Sequence, residues 1–227
     1  AETMNEIARR IRELRKRMRE RRIDAYLVPT SDYHESEYVG RHFACREYIT
    51  GFTGSAGTAV IGRDWAGLWT DGRYFVQAET ELAGSGVELM RMGEPGVPSI
   101  EEYLEQKLPQ QGILGFDGRV INGRMGEELK KKLESKNVSF AYTEALVGEI
   151  WEDRPELPAE PVWVLEDKYA GRPAAEKIAE LRREMGKLHA TVHILTTLDD
   201  IAWLFNIRGN DILHNPVVLS YAAVTQK

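Results

Sequence analysis

The sequence predicts an α/β fold: a mixed β-sheet flanked by helices, followed by a truncated second copy of the same unit. Three observations carry this expectation. Short apolar runs alternate with amphipathic stretches of helical period, the pattern of strands and helices packed in layers. Residues 11–32 (IRELRKRMRERRIDAYLVPTSD) recur as residues 178–199 (IAELRREMGKLHATVHILTTLD). Ile11, Leu14, Arg15, Met18, Thr30 and Asp32 are matched by Ile178, Leu181, Arg182, Met185, Thr197 and Asp199 at one constant spacing. Between the copies, Arg154 to Pro161 (RPELPAEP) places prolines at 155, 158 and 161, which favours an extended connection.

The elements follow in order. Ile7, Ile11, Leu14 and Met18 line one face of a helix over 5–22. Ala25 to Pro29 reads as a buried strand. EYITGF (47–52) and TAVI (58–61) read as strands joined by a glycine-rich turn, and GLWT (67–70) as a third. A helix opens after the Asp-Gly turn and covers 73–82. A strand over 87–92 precedes a helix over 99–108, for which Ser99 is a suitable N-cap. Strand 113–117, helix 123–134 and strand 138–142 complete the first domain. In the second copy, helix 173–188 and strand 193–197 repeat the opening, IAWLFNIRG stands in place of REYITGFTG, and PVVLSYAAVT stands in place of SAGTAVI. The expected layout is a domain over 1–153, a proline-rich linker over 154–170, and half of a second domain over 171–227. The second copy runs only 28 residues beyond Asp199. The chain therefore reads as a piece of a longer polypeptide, and the strands HILTT and VVLSYAAV are expected to keep an open edge and an uncovered face.

Composition narrows the function. A hydrophobic content of 42% in 227 residues is enough for a sizeable core. The net charge of −6 argues against a nucleic-acid role for the chain as a whole. A single cysteine, Cys45, excludes an intrachain disulfide framework and fits a reducing compartment. No apolar run approaches the roughly 20 residues of a membrane helix, and none reads as a signal peptide, so a cytoplasmic protein without membrane contact is expected.

Several clusters invite a functional reading. His34, Glu35, Glu37, His42 and Cys45 are types a metal accepts, but their spacing matches no zinc pattern, and a polar loop is the better reading. Gly51, Gly54 and Gly57 in GFTGSAG lead into a strand rather than a helix. They lack the Gly-Lys-Ser/Thr of a phosphate loop, and Ser55 lacks the frame of a nucleophile elbow. A tight turn is the simpler use. The run RRIRELRKRMRERR holds nine basic residues against two acidic ones, yet its apolar stripe suits core packing with a solvated arginine face.

Asp71-Gly72-Arg73 is different, because a strand delivers it where a strand meets a helix. The fork of Arg73 could pair with a ligand carboxylate, or could lock the turn against Asp71; the pattern alone leaves both open. Arg208-Gly209-Asn210-Asp211 before His214-Asn215-Pro216 is a comparable cluster better read as a polar turn. No Ser-His-Asp order, carboxylate pair or metal-ligand set emerges, so no catalytic residue is assigned.

The strings PTSDYHESEY (29–38), GFTGSAGTAVI (51–61), LWTDGRYFVQAE (68–79), IWEDRP (150–155), KYAGRPAAEKIAELRREM (168–185) and TLDDIAWLFNIRGNDILHNPVVLSYAAVT (197–225) closely resemble the cytosolic Xaa-Pro aminopeptidases. These are the long, three-domain form of aminopeptidase P in the creatinase/prolidase "pita-bread" superfamily. The resemblance implies two successive creatinase-type N-terminal domains ahead of a catalytic domain absent from this chain. That domain would bind two divalent metal ions, usually manganese, which activate a bridging water, and would release the first residue of peptides with proline second. The chain itself is then expected to hold no cofactor and to be inactive alone. Its expected part is to shape the substrate cleft for proline-containing peptides and to support a homo-oligomer. Arg73 is the one substrate-contacting residue that the resemblance carries over. A peptide-binding or oligomerisation module of a catalytically inactive superfamily member is the competing reading. A dipeptide-specific prolidase fits less well, because the repeat announces two N-terminal domains.

Overall fold

The computed structural model describes residues 2–227, with side chains from Glu6 onward. The chain divides into two compact units. One comprises the residues up to Ser31 and Phe43–Pro155; the other comprises Asp32–His42 and Glu156–Lys227.

In the first unit, α1 (Glu2–Glu20) leads into β1 (Ala25–Val28), then α2 (Cys45–Thr50), β2 (Thr58–Gly62), β3 (Ala66–Thr70) and α3 (Phe75–Leu82). β4 (Glu88–Arg91), α4 (Ile100–Lys107), β5 (Ile113–Gly115), α5 (Gly123–Lys132), β6 (Ser139–Ala141) and α6 (Leu146–Ile150) follow. The strands form one six-stranded sheet in the order β4-β3-β2-β1-β5-β6. β2 runs antiparallel to both its neighbours, and the remaining pairs are parallel. All four residues of β1 are buried, as a strand covered on both faces requires. Tyr26 and Val28 join the core beneath α1, α2, α3 and α6; Ala25 and Leu27 join the core beneath α4 and α5. The four apolar positions of α1 lie at 4% exposure or less, and Leu14 and Met18 at 0%. Burying each is worth roughly 1.5–3 kcal/mol.

The basic residues of α1 and of the turn after it serve this unit's own surface. Arg10 donates to the Tyr48 carbonyl at 2.9 Å, Arg15 to the carbonyls of Gly62 and Trp65 at 2.9 and 3.1 Å, and Arg21 to the Glu149 carboxylate at 2.8 Å. Ser99 accepts from the Glu102 amide at 3.1 Å, and so caps α4 as the sequence suggests. One element differs from expectation: EYITGF is no strand. Residues 45–50 form α2, closed by Gly51 at φ 76°. The β-branched and aromatic residues favour a strand locally, and six residues are too few for the period to decide. Packing of Tyr48 and Ile49 into the core decides it instead.

The second unit holds β7 (Trp163–Val164), α7 (Asp167–Ala170), α8 (Ala174–Lys187), β8 (Val192–Leu195), α9 (Leu198–Phe205), β9 (Ile207–Arg208) and β10 (Ala222–Thr225). β8 pairs antiparallel with β10, and β7 with β9. Its core is built on Met185, Leu195, Ile201, Leu204 and Val224, with Leu198, Ala202, Ile212 and Val217 beside it. Val192, Ile194 and Trp203 are exposed. Among the described residues, no helix is long and apolar enough to cross a membrane.

Candidate functional site

The carboxyl end of β3 in the first unit gathers the sequence motifs. Thr70 is 1% exposed, and its hydroxyl donates to the Ala56 carbonyl at 2.7 Å, which ties the strand end to the glycine-rich turn. Asp71 follows in extended conformation and caps the single 3₁₀ turn Gly72–Tyr74. Its Oδ1 accepts from the Arg73 amide at 3.1 Å, and its two oxygens accept from Arg73 Nε and Nη2 at 2.9 Å each. The pair is bidentate, yet the Arg73 side chain is 67% exposed and that of Asp71 41%. The turn is locked at a solvent-exposed position. The hydrogen bonds from Arg73, a slight burial cost opposing them, hold the Asp71 carboxyl below its ordinary range.

The turn between α2 and β2 forms the other side of this rim. The Ser55 and Tyr74 hydroxyls are hydrogen-bonded to each other. The Tyr74 ring meets Phe52 edge-on with centroids 5.8 Å apart, and Arg73 lies 5.2 Å from the Tyr74 centroid. Gly54 has no room for a side chain: a Cβ there would come within 2.2 Å of Phe52 and 2.8 Å of Tyr74. Beside it, the Glu81 carboxylate accepts from the Thr53 amide at 2.6 Å and the Thr53 hydroxyl at 2.8 Å, and Gln77 donates to both residues. Beneath the turn, Arg46 is 5% exposed and donates to the carbonyls of Phe52 (3.0 Å) and Gly54 and to Thr30 Oγ1 (3.2 Å). Burial pushes its guanidinium down to about 10, so it stays a cation at neutral pH.

The other candidates resolve as structural groups. His34 Nε2 lies 2.8 Å from the Ser220 carbonyl oxygen, and the ring stacks on Tyr221 at 4.4 Å. The Asp32 carboxylate accepts from the amides of His34 and Ser36 at 2.8 and 3.0 Å. His34, Glu35, Glu37 and His42 belong to the second unit and Cys45 to the first. Among the described residues, no three His, Cys, Asp or Glu side chains converge to hold a metal ion. Asp211 accepts from the Glu160 and Leu219 amides at 3.0 and 2.9 Å, and Arg208 donates to the carbonyls of Ala202 and Ile207 at 2.7 and 2.8 Å, so this cluster is a turn lock.

Sequence reading missed two features. Arg119 repeats the Arg73 arrangement, pairing with both oxygens of Asp117 at 3.0 Å; the repeated tripeptide Asp-Gly-Arg at 71–73 and 117–119 was the available signal. Arg46 carried no local signal at all.

The chain belongs to the creatinase/prolidase N-terminal domain family, whose profiles match residues 10–150 and 153–227. It is 43% identical over 205 residues to aminopeptidase P2 of Arabidopsis thaliana, covering 89% of this chain and 29% of that protein. It is 44% identical over 220 residues to a probable Xaa-Pro aminopeptidase P of Sordaria macrospora, covering 96% and 36%. Among solved structures it resembles the X-prolyl aminopeptidase of Caenorhabditis elegans, described as a cytosolic enzyme with a di-nuclear active site. That match has a TM-score of 0.90 at 32% identity, covering 97% of this chain and 38% of that one. The chain thus spans about a third of the length of these relatives.

Proposed function

We propose that this chain is the non-catalytic N-terminal portion of a metal-dependent Xaa-Pro aminopeptidase, which releases the first residue of peptides carrying proline second. The exposed, bidentately held Arg73 fork at the end of β3 carries this reading. It is a preorganised donor for a peptide carboxylate or carbonyl, and a charge-assisted bond of this kind contributes roughly 1.5–3 kcal/mol. The relatives named above support the substrate class. The described residues do not fit a metal centre. Two divalent ions, manganese in this reading, would be held elsewhere in the longer protein. We further propose that the enzyme works in the cytoplasm and that it is a homo-oligomer.

The chain incubated with manganese and the peptide Arg-Pro-Pro is expected to give no turnover; release of arginine would contradict the division of labour. In the complete polypeptide, Arg73→Ala is expected to raise KM about tenfold, the loss of one charge-assisted bond, with metal content unchanged. Unaltered steady-state kinetics would remove Arg73 from the substrate site.

A further inference from the structure

Arg46 is a buried cation for which, among the described residues, no acidic hydrogen-bond partner stands at the turn it serves. Its three acceptors there are the neutral Thr30 Oγ1 and the carbonyls of Phe52 and Gly54. Its guanidinium also lies over the Phe52 ring, 4.7 Å from the centroid. Phe52 is 0% exposed and meets Tyr74 edge-on, and Tyr74 carries Arg73 on its ring and Ser55 on its hydroxyl. One contiguous set of contacts therefore runs from Arg46 through Phe52 and Tyr74 to Arg73.

The repeat differs at this position. With REYITGFTG laid over IAWLFNIRG, Arg46 falls on Ile201. Ile201 is 3% exposed in α9, and in that copy the buried cation at the helix end is Lys177, which donates to Asn206 Oδ1 and the Trp203 carbonyl. Only the first copy places its cation on the aromatic ring that leads to the rim, where three neutral acceptors offset the desolvation penalty. No counterpart of the Tyr74-Arg73 rim follows α9 in the described residues.

We propose that Arg46 is a positioning residue: it fixes the 51–57 turn and, through Phe52, the Tyr74 ring, so that Arg73 meets the peptide in one orientation. This rests on the peptide-contact reading of Arg73. Arg46→Ile in the complete polypeptide is expected to raise KM for Xaa-Pro tripeptides about fivefold while kcat stays within about twofold, and Arg46→Lys is expected to recover part of the loss. In an Arg73→Ala background, Arg46→Ile is expected to add no further change, because both act on one interaction. A silent Arg46→Ile, a loss confined to kcat, or effects that multiply in the double variant would overturn the proposal. A silent Arg73→Ala would instead overturn the reading beneath it. Should Arg46→Ile not fold, Phe52→Met breaks the stack with Arg46 in place; the same KM rise, dependent on Arg73, is expected, and its absence refutes the relay.

Discussion

The two readings of Asp71-Gly72-Arg73, turn lock and ligand fork, describe one geometry. Asp71 occupies Nε and Nη2 of the guanidinium, and the Arg73 side chain stays 67% exposed. The lock depends on the ionised carboxylate. Because the Asp71 pKa is lowered in the folded state, the pairing is complete at pH values above the ordinary 3.8 of aspartate and is lost only as pH falls through the lower folded value. A carboxyl-detected NMR titration of the chain is expected to place the Asp71 midpoint below 3.8, and Arg73→Gln to return it towards that value; an unshifted midpoint would mean the pair does not persist in solution. Arg73 was legible in the sequence because its partner sits two residues away and a strand and a helix frame the tripeptide. Arg46 was not legible. Its acceptors at Thr30, Phe52 and Gly54 come together only when α2 packs under the turn, and in the sequence it is one arginine among many.

The misread element, α2, shows packing overriding local propensity, with a left-handed cap to end the helix. Gly51 closes α2 at φ 76°, and Asn206, its partner in the repeat alignment, closes α9 at φ 51°. Both are left-handed caps, and the second copy's Asn-Ile-Arg-Gly held the clue that Gly-Phe-Thr-Gly ends a helix. Only glycine and, at lower frequency, asparagine enter this region readily. Gly51→Ala is expected to cost about 1–2 kcal/mol, and its Cβ would also press to 3.3 Å from Ile7. Gly51→Asn is expected to cost less than Gly51→Ala despite its larger side chain. Urea midpoints measured for both variants decide the order; a smaller loss for alanine would show that contact with Ile7 outweighs the dihedral. Of the helices that match the sequence reading, α1, α4, α5 and α8 have either a long apolar stripe or a side-chain cap, and α3 follows the Asp-Gly turn. In α8 the period hid one thing: Lys177, 3% exposed, donates to Asn206 Oδ1 at 2.6 Å and to the Trp203 carbonyl, and so closes the end of α9. Burial, with Arg172 and Arg208 nearby, lowers its pKa.

At the scale of the whole chain, the repeat is one of antiparallel strand pairing as well as of sequence. β1 meets β2 with Ala25 opposite Gly62, and β8 meets β10 with Val192, the repeat partner of Ala25, opposite Thr225. The two units nonetheless differ in how much core each one closes. The first covers both faces of six strands, with large side chains such as Trp69, Phe52, Leu14 and Met18 below 2% exposure. In the second, the described strands pair only in twos, and Val192 and Ile194 of β8 stand 48% and 60% exposed. Two-stranded sheets owe their stability to whatever packs on them, and the small clusters around Met185 and Leu198 supply less of that than the first unit's two cores. Amide hydrogen exchange on the chain is therefore expected to show β8 and β10 opening at lower free energy than β1 and β2, in a separate cooperative step. Leu14→Ala, at a fully buried site, is expected to lower protection in the first unit by about 2–5 kcal/mol and to leave the rates of β8 and β10 unchanged. Equal protection in both strand pairs, or loss of β8 protection in Leu14→Ala, would mean that the two units fold as one.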